Sequence, residues 1–366
     1  MKILYVTTIG GTMAFFIDYI DELVSKKHVV DIATNTNLYP VREIYNDLGC
    51  SIFNISCTRS PFSLSNITAI KQIKKIVEEG NYDIVHCHTP IAAACTRIAC
   101  RKARKKGTKV IYTAHGFHFY KGAPLINWLV FYPIEKLCAH FTDILVTINK
   151  EDYNFALKKI KAKRVEYVPG VGIDVQKFAN CEVDALAKKQ ELGVPNDAFL
   201  LLSVGELNEN KNHQSVIRAL AKIENKNPHY IIAGEGGLKD NLISLTEELG
   251  VKDRVHLVGQ RDDVAELYKV ADVYIHPSYR EGLPVAVVEA LAAGTPIICT
   301  NIRGNTDVVK DGINGVLVKP NAVDEIKKAI NKLMTDKGEI GKTNSVDAEC
   351  FSVSSVNEKM YNIYSD

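Results

Sequence analysis

The stretch "DVYIHPSYREGLPVAVVEALAAGTPIICT", residues 272–300, reads as one strand–helix–strand unit. Val273, Tyr274 and Ile275 form a short β-prone run closed by Pro277 and Ser278. An Ala-rich helical segment then runs to Gly294, and a second apolar run begins at Ile297. Units of this kind build parallel sheets with right-handed crossovers. Two carboxylates interrupt the pattern: Glu281 stands just before a Leu-Pro turn, and Glu289 lies inside an otherwise apolar helix. An unpartnered carboxylate in apolar surroundings is costly, so each needs a hydrogen-bonding partner or a ligand.

The same alternation fills the chain. "KILYVTT", "VVDIAT", "SIFNI", "DIVHCH", "KVIYTAH", "DILVTI" and "VEYVPG" are candidate strands in the first half, separated by helical segments such as "SNITAIKQIKKIVEEG". The polar segment "FANCEVDALAKKQELGVPNDA" intervenes before the pattern restarts with "FLLLSVGE", "HYIIAGEG", "VHLVG", "DVYIHPS", "PIICT" and "GVLV". A chain of 366 residues exceeds what one core usually organises. The reading is therefore α/β, with two Rossmann-like, doubly wound domains over residues 1–174 and 175–350 facing across a cleft. Such sheets bind ligands outside the carboxyl ends of their strands. The last segment, 351–366, has Val353, Val356, Met360, Ile363 and Tyr364 near helical spacing. It is either a surface helix or one that crosses back to the first domain.

Composition excludes a disordered or fibrous chain: 46% of residues are hydrophobic, 24% are charged, and the net charge is +2. The halves differ, with 23 Lys+Arg against 15 Asp+Glu up to residue 175 and 22 against 28 beyond it. The basic clusters "RIACRKARKKGTK" and "KKIKAKR" suit anionic lipid or plain solvation. Nucleic acid is disfavoured, because aromatics are not interleaved with the cations. Nine cysteines without CxxC pairs suit a reducing compartment. With no apolar leader after Lys2 and no run long enough to span a bilayer, the expectation is a cytoplasmic protein, peripheral at the inner face of the cell membrane.

Strand ends carry the candidate chemistry. Gly10 and Gly11 in "TTIGGT" would let a backbone approach an anion, although the pattern is not GxGxxG and dinucleotide binding is disfavoured. His86, His88, His115 and His118 match no zinc spacing, which leaves hydrogen-bonded structural histidines or a substrate contact led by His115. In "SVGELNENKNH", Gly205 ends a strand and Lys211 precedes a helix, a place that suits phosphate. "AGEGG" supplies Gly234 and Gly236, and "VGQRDD" supplies Gln260 and Arg261. Pro284 suits a first helical turn, with the N–H groups around Gly282, Leu283 and Val285 aimed at an anion. Glu281 and Glu289 are eight positions apart, about 12 Å along a helix. Paired glycosidase carboxylates stand roughly 5 to 9.5 Å apart, so the two glutamates should make separate contacts.

With these motifs in order, the chain resembles the retaining glycosyltransferases of family 4, which have the GT-B fold. The resemblance covers essentially the whole length and is most specific at "EGLPVAVVE", an E-x7-E motif, with "SVGELNENKN", "AGEG", "DVYIHPS", "GTPII", "GG" and "AHGFHF" in support. It implies an acceptor domain followed by a nucleotide-sugar donor domain. Glu281 would contact the donor sugar and Glu289 the ribose. Lys211, Gly11 and the backbone near Leu283 would hold the diphosphate, and His115 would approach the reacting centre. The Gln260–Arg261 loop would line the base.

Many members carry Arg where this chain has Glu206; either Glu206 turns away while Arg280 or Arg303 supplies the charge, which is the favoured expectation, or the donor is held differently. The implied reaction moves a hexose or N-acetylhexosamine, most simply from a UDP-sugar, to a lipid-linked or oligosaccharide acceptor in capsule, exopolysaccharide or O-antigen assembly. It needs no metal or other cofactor. The alternatives are another GT-B enzyme, such as a nucleotide-sugar epimerase or a phosphorylase, and a non-catalytic nucleotide-sugar-binding protein.

Overall fold

Strand runs such as Phe199–Val204 are apolar on both faces, which requires cover from helices on both sides of a sheet. The computed structural model shows that arrangement twice, and it describes all residues except 336–337 and 342–343. Two compact units are present: Met1–Val171 together with Val356–Asp366, and Gly172–Ser355. The division falls at Val171/Gly172, not at residue 174, and the final helical residues belong with the first unit.

The first unit holds seven parallel strands: β1 (Lys2–Ile9), β2 (Val29–Asn35), β3 (Ile52–Asn54), β4 (Ile84–His88), β5 (Lys109–Ala114), β6 (Ile144–Thr147) and β7 (Arg164–Tyr167). Their order is β3-β2-β1-β4-β5-β6-β7, with Ile3 opposite Ile84 and Val85 opposite Val110. The chain winds one way from β1 to β3 and the other way from β4, so the strand order reverses between β1 and β4. Leu4, Val6, Val85 and Tyr112 bury on one face; Ile3, Tyr5, Ile84 and Ile111 bury on the other.

The Val353–Ser365 helix closes that second face with Val356, Met360, Ile363 and Tyr364. Its Tyr364 hydroxyl lies 2.8 Å from the Tyr5 hydroxyl and 2.5 Å from His86 Nδ1, all of them buried.

The second unit holds six parallel strands: β8 (Phe199–Val204), β9 (Pro228–Ala233), β10 (Val255–Gly259), β11 (Val273–His276), β12 (Ile297–Thr300) and β13 (Gly315–Val318). They run in the order β10-β9-β8-β11-β12-β13, which reverses between β8 and β11. Leu200, Leu202, Ile231 and Tyr274 face one hydrophobic cluster, while Leu201, Tyr230, Ile232 and Ile275 face the other. Alternate residues therefore serve opposite layers, and both layers are predominantly apolar. No described helix is long and apolar enough to cross a membrane.

Replacing Tyr364 by Phe keeps the ring but leaves the buried Tyr5 hydroxyl and one nitrogen of the buried His86 without that partner. Leaving buried polar atoms unpaired costs about 1–3 kcal/mol. Urea denaturation of the Tyr364→Phe protein should show that loss with an unchanged m-value; an unaltered midpoint would contradict this view of the helix.

Candidate functional site

In the second unit the residues of interest collect where the strand order reverses. Lys211 leaves the loop after β8, and Glu281 leaves the loop after β11. The two loops are joined: Tyr279 N–H donates to the Asn210 carbonyl at 2.9 Å, Asn210 Nδ2 to the Arg280 carbonyl at 3.0 Å, and Asn212 Nδ2 to the Pro277 carbonyl at 3.2 Å. Lys211 Nζ sits 2.8 Å from Glu281 Oε1, and His276 Nε2 sits 3.0 Å from the same oxygen. Arg303, itself buried, donates through Nε to the Glu281 carbonyl at 3.1 Å.

Burial by itself would raise the Glu281 carboxyl, but the His276 hydrogen bond and the Lys211 charge outweigh it and hold the group at about 2. Burial lowers His276, so the ring is neutral near pH 7. The surrounding groups assign its tautomer: Nε2–H donates to Glu281 and Nδ1 accepts from the Tyr274 hydroxyl, 3.1 Å away. Glu281 is thus a fixed anion that a sugar hydroxyl can donate to.

The Val285–Ala293 helix begins beside it. Sequence places Pro284 inside the first turn; the structure makes it the cap, with φ −79° and ψ 107°, its carbonyl accepting from the N–H groups of Val287 and Val288. The N–H groups of Val285 and Ala286 have no acceptor within the helix, and the loop through Gly282 and Leu283 leads into them.

Glu289 sits one turn and more into this helix, half-buried. Its Oε2 accepts from the Tyr268 hydroxyl at 2.9 Å. Burial raises the Glu289 carboxyl, partly opposed by that hydrogen bond and by the charge of Lys177. The carboxylate in the apolar helix therefore has a partner that the sequence motif did not reveal.

The glycine loops have a packing reason. A Cβ on Gly234 would lie 1.9 Å from the Gly205 carbonyl oxygen, so the loops after β8 and β9 touch backbone to backbone. One on Gly236 would meet the Leu207 backbone. Gly205, by contrast, faces the Lys211 side chain. Gln260 is exposed after β10. Arg261, expected beside it on a base, is instead ion-paired with Asp263 and with Glu191. Glu206 is exposed and accepts from Asn208 Nδ2 at 2.9 Å, and Arg280 is exposed as well.

In the first unit the corresponding point lies between β1 and β4. Gly10 and Gly11 open a 3-10 turn over Gly10–Phe16. A Cβ on Gly10 would come within 2.5 Å of the Tyr39 carbonyl oxygen, so close packing against this chain's own backbone already requires glycine there. Across from it Thr89, a β-branched residue, holds φ 63°, pinned by Thr8 at 2.7 Å.

His115 follows β5, and its Nε2 lies 3.1 Å from His88 Nδ1, leaving Nδ1 as the ring atom for a ligand. His86 is held between Tyr364 and Thr113, the latter at 2.8 Å. Among the described residues no group of His, Cys, Asp and Glu is placed to hold a metal ion; His86, His88 and His115 pack ring against ring, and His118 lies against Phe131. Sequence reasoning passed over His276, Tyr268 and Thr89. The histidine in "DVYIHPS" was the one available signal, being a polar residue at the end of a core strand.

Comparison with known proteins identifies the family and the fold. A model described as glycosyl transferases group 1 matches residues 184–345, and one described as glycosyl transferase 4-like matches residues 2–149. EpsD of Bacillus subtilis (strain 168), named as a glycosyltransferase, is 38% identical over 86% of this chain and 84% of its own. An Escherichia coli enzyme named UDP-Gal:alpha-D-GlcNAc-diphosphoundecaprenol alpha-1,3-galactosyltransferase is 31% identical over 76% of this chain and 74% of its own. The crystal structure of Anabaena HepE in complex with UDP superimposes with a TM-score of 0.81 over both whole chains at 20% identity, which defines the fold. The chain belongs to the group 1 glycosyltransferases and has the GT-B fold.

Burial pulls His86 down to about 3, and His115 to about 4. Both lie below the unfolded value of about 6.5, so on acidification the unfolded chain takes up protons first. Stability present above about pH 6.5 is then lost as pH falls toward 4, by up to about 1.4 kcal/mol per pH unit for each ring. Denaturation midpoints at pH 5.0 should lie well below those at pH 7.5; equal midpoints would contradict neutral buried rings.

Proposed function

We propose that this glycosyltransferase moves a hexose or N-acetylhexosamine from a UDP-sugar to a lipid-linked glycan in extracellular polysaccharide assembly, with retention at the anomeric carbon and without a metal. The observation that carries the reading is the Lys211–Glu281–His276 cluster beside the start of the Val285–Ala293 helix. A cation, an anion fixed below its usual range and a helix amino end meet the needs of a diphosphate flanked by hydroxyls. The Escherichia coli relative's name specifies a UDP-galactose donor and a diphosphoundecaprenol-linked acceptor, and HepE was crystallised with UDP-glucose.

In this reading Glu281 accepts hydrogen bonds from the donor sugar. Lys211 exchanges Glu281 for the diphosphate. Glu289, released from Tyr268 or sharing it, takes the ribose. Arg303 supplies the cation that Glu206 does not, because Arg303 is already anchored on the Glu281 carbonyl whereas Arg280 is exposed. Transfer is front-face. The bond from the anomeric carbon to the diphosphate oxygen breaks and the bond to the acceptor oxygen forms on the same side. The acceptor proton passes to the departing phosphate. His115 Nδ1 contacts the sugar near that centre. The acceptor is met at an anionic membrane surface, on the cytoplasmic side. Glu206, turned to Asn208, gives no support to a non-catalytic reading.

A panel of UDP- and GDP-sugars should yield slow acceptor-independent hydrolysis with a UDP-sugar, undiminished by EDTA. No hydrolysis with any member, or its abolition by EDTA, would contradict the proposal. By calorimetry, Arg303→Ala should weaken UDP-sugar binding roughly tenfold to a hundredfold and Arg280→Ala less than threefold, charge-assisted contacts being worth about 1.5–3 kcal/mol. The reverse ranking would remove Arg303 from the site.

A further inference from the structure

The Leu125–Cys138 helix of the first unit, "LINWLVFYPIEKLC", is apolar on both sides, yet only one side is covered. Its inner positions pack as expected. Trp128 and Tyr132 lie against Phe119 and Phe155 at ring separations of 5.4–5.8 Å, and Phe131 lies 4.6 Å from the His118 ring. Glu135 is buried in an ion pair with Arg97 at 2.8 Å. Its outer stripe follows the 3.6-residue period: Leu125, Ile126, Leu129 and Leu137 are 80%, 62%, 73% and 59% exposed, with Pro133 exposed between them. A helix that is apolar all round belongs in a core or against lipid.

The charge around this stripe is one-sided. Residues 84–142 contain nine Lys and Arg and one acid, Glu135, which the Arg97 pair neutralises. Lys121 and Lys136 flank the stripe, both exposed. The Arg101–Lys105 helix adjoins its far end, where Arg101 stacks on Phe141 and Arg104 donates to the His140 carbonyl at 3.0 Å and pairs with Asp143 at 2.9 Å, leaving the net positive charge to its neighbours. Arg101, Lys102, Lys105 and Lys106 are exposed. An apolar stripe rimmed mainly by cations, with Asp143 offsetting Arg104 alone, complements an acidic lipid headgroup layer over an acyl interior. A two-fold dimer through the same face would set those cations against their copies.

We infer that the outer face of the Leu125–Cys138 helix is the surface by which the protein lies in an anionic bilayer interface, with Leu125, Ile126 and Leu129 inserted and Lys121, Lys136 and the Arg101–Lys106 cations at headgroup level. The inference deepens the reading of a lipid-linked acceptor and rests on it for its purpose. The helix start is tied to the His115–His118 loop through Asn127 Nδ2, which donates to the His118 carbonyl at 3.0 Å. The inserted end therefore adjoins the loop that presents His115, the edge at which a sugar on a membrane carrier arrives.

Trp128, the one tryptophan of the chain, reports on this helix directly. Full-length protein is mixed with vesicles of phosphatidylglycerol and phosphatidylcholine, or of phosphatidylcholine alone, and flotation and quenching of Trp128 by brominated acyl chains are measured. The expected result is flotation with the anionic vesicles only, quenching of Trp128, and weakening of both by high salt. The Leu125→Ser/Ile126→Ser/Leu129→Ser variant should lose at least tenfold in partition and lose the quenching. Lys102→Glu/Lys105→Glu/Lys106→Glu should lose partition as well, and thermal melts should match wild type because all six side chains are exposed. Equal binding to neutral vesicles, binding without quenching, or a triple-serine variant that floats as before would overturn the inference. So would a wild-type dimer that the serine changes dissociate. Acceptor-independent UDP-sugar hydrolysis, measured on the same variants without vesicles, should be unchanged, so loss of membrane binding is read separately from the donor chemistry.

Discussion

Glu281 holds three parts of the second unit at one point, two through its carboxylate and one through its backbone carbonyl. Lys211 reaches it from the loop after β8, His276 from the end of β11, and Arg303 binds its carbonyl from the segment after β12. Burial disfavours a charge there, and two hydrogen-bonding partners reverse the balance. Removing one partner of such a buried pair generally costs about 3–5 kcal/mol, because the other charge is left behind. The loops that end in the helix at Val285 therefore have one arrangement, set before any ligand arrives, and preorganised donors and charges are what transfer of a diphosphate-bound sugar requires.

That arrangement follows from strand order. In each unit the crossovers reverse direction beside the first strand, between β1 and β4 and between β8 and β11, and the crevice left by the reversal is where a parallel sheet can receive a ligand. The second unit uses it for charged side chains. The first uses it for histidines and for Thr89, a residue kept in a strained backbone conformation by Thr8. Neutral rings donate and accept hydrogen bonds without adding charge, which is what the proposed sugar contact of His115 asks of them.

The strands were legible because each is a short apolar run bounded by turn residues, and a run apolar on both faces has few places to go except a covered parallel sheet. Glu281, Lys211 and His115 were legible as polar residues at strand ends. Their partners were not. Tyr268 lies 21 residues before Glu289 in sequence and meets it only through helix packing. The tether of Glu281 to His276 looks like a core strand's last residue until the sheet is built. Pro284 was placed inside the helix by its own preference, yet its ψ of 107° makes it the cap. That Gly10 also has a packing reason, the Tyr39 carbonyl lying where a Cβ would be, is not visible in the linear sequence. Arg261 was assigned to a base for the same reason, its two acidic partners being distant or facing elsewhere in the linear reading.

The central claim is that the Glu281 cluster and the adjoining helix end form the diphosphate site, and a crystal structure of the UDP complex tests it most directly. The account predicts the β-phosphate at the N–H groups of Val285 and Ala286, Lys211 Nζ moved from Glu281 onto the phosphate, and Glu289 within hydrogen-bond distance of the ribose hydroxyls. UDP bound elsewhere, or bound with Lys211 still on Glu281 and Glu289 closed off by Tyr268, would contradict it.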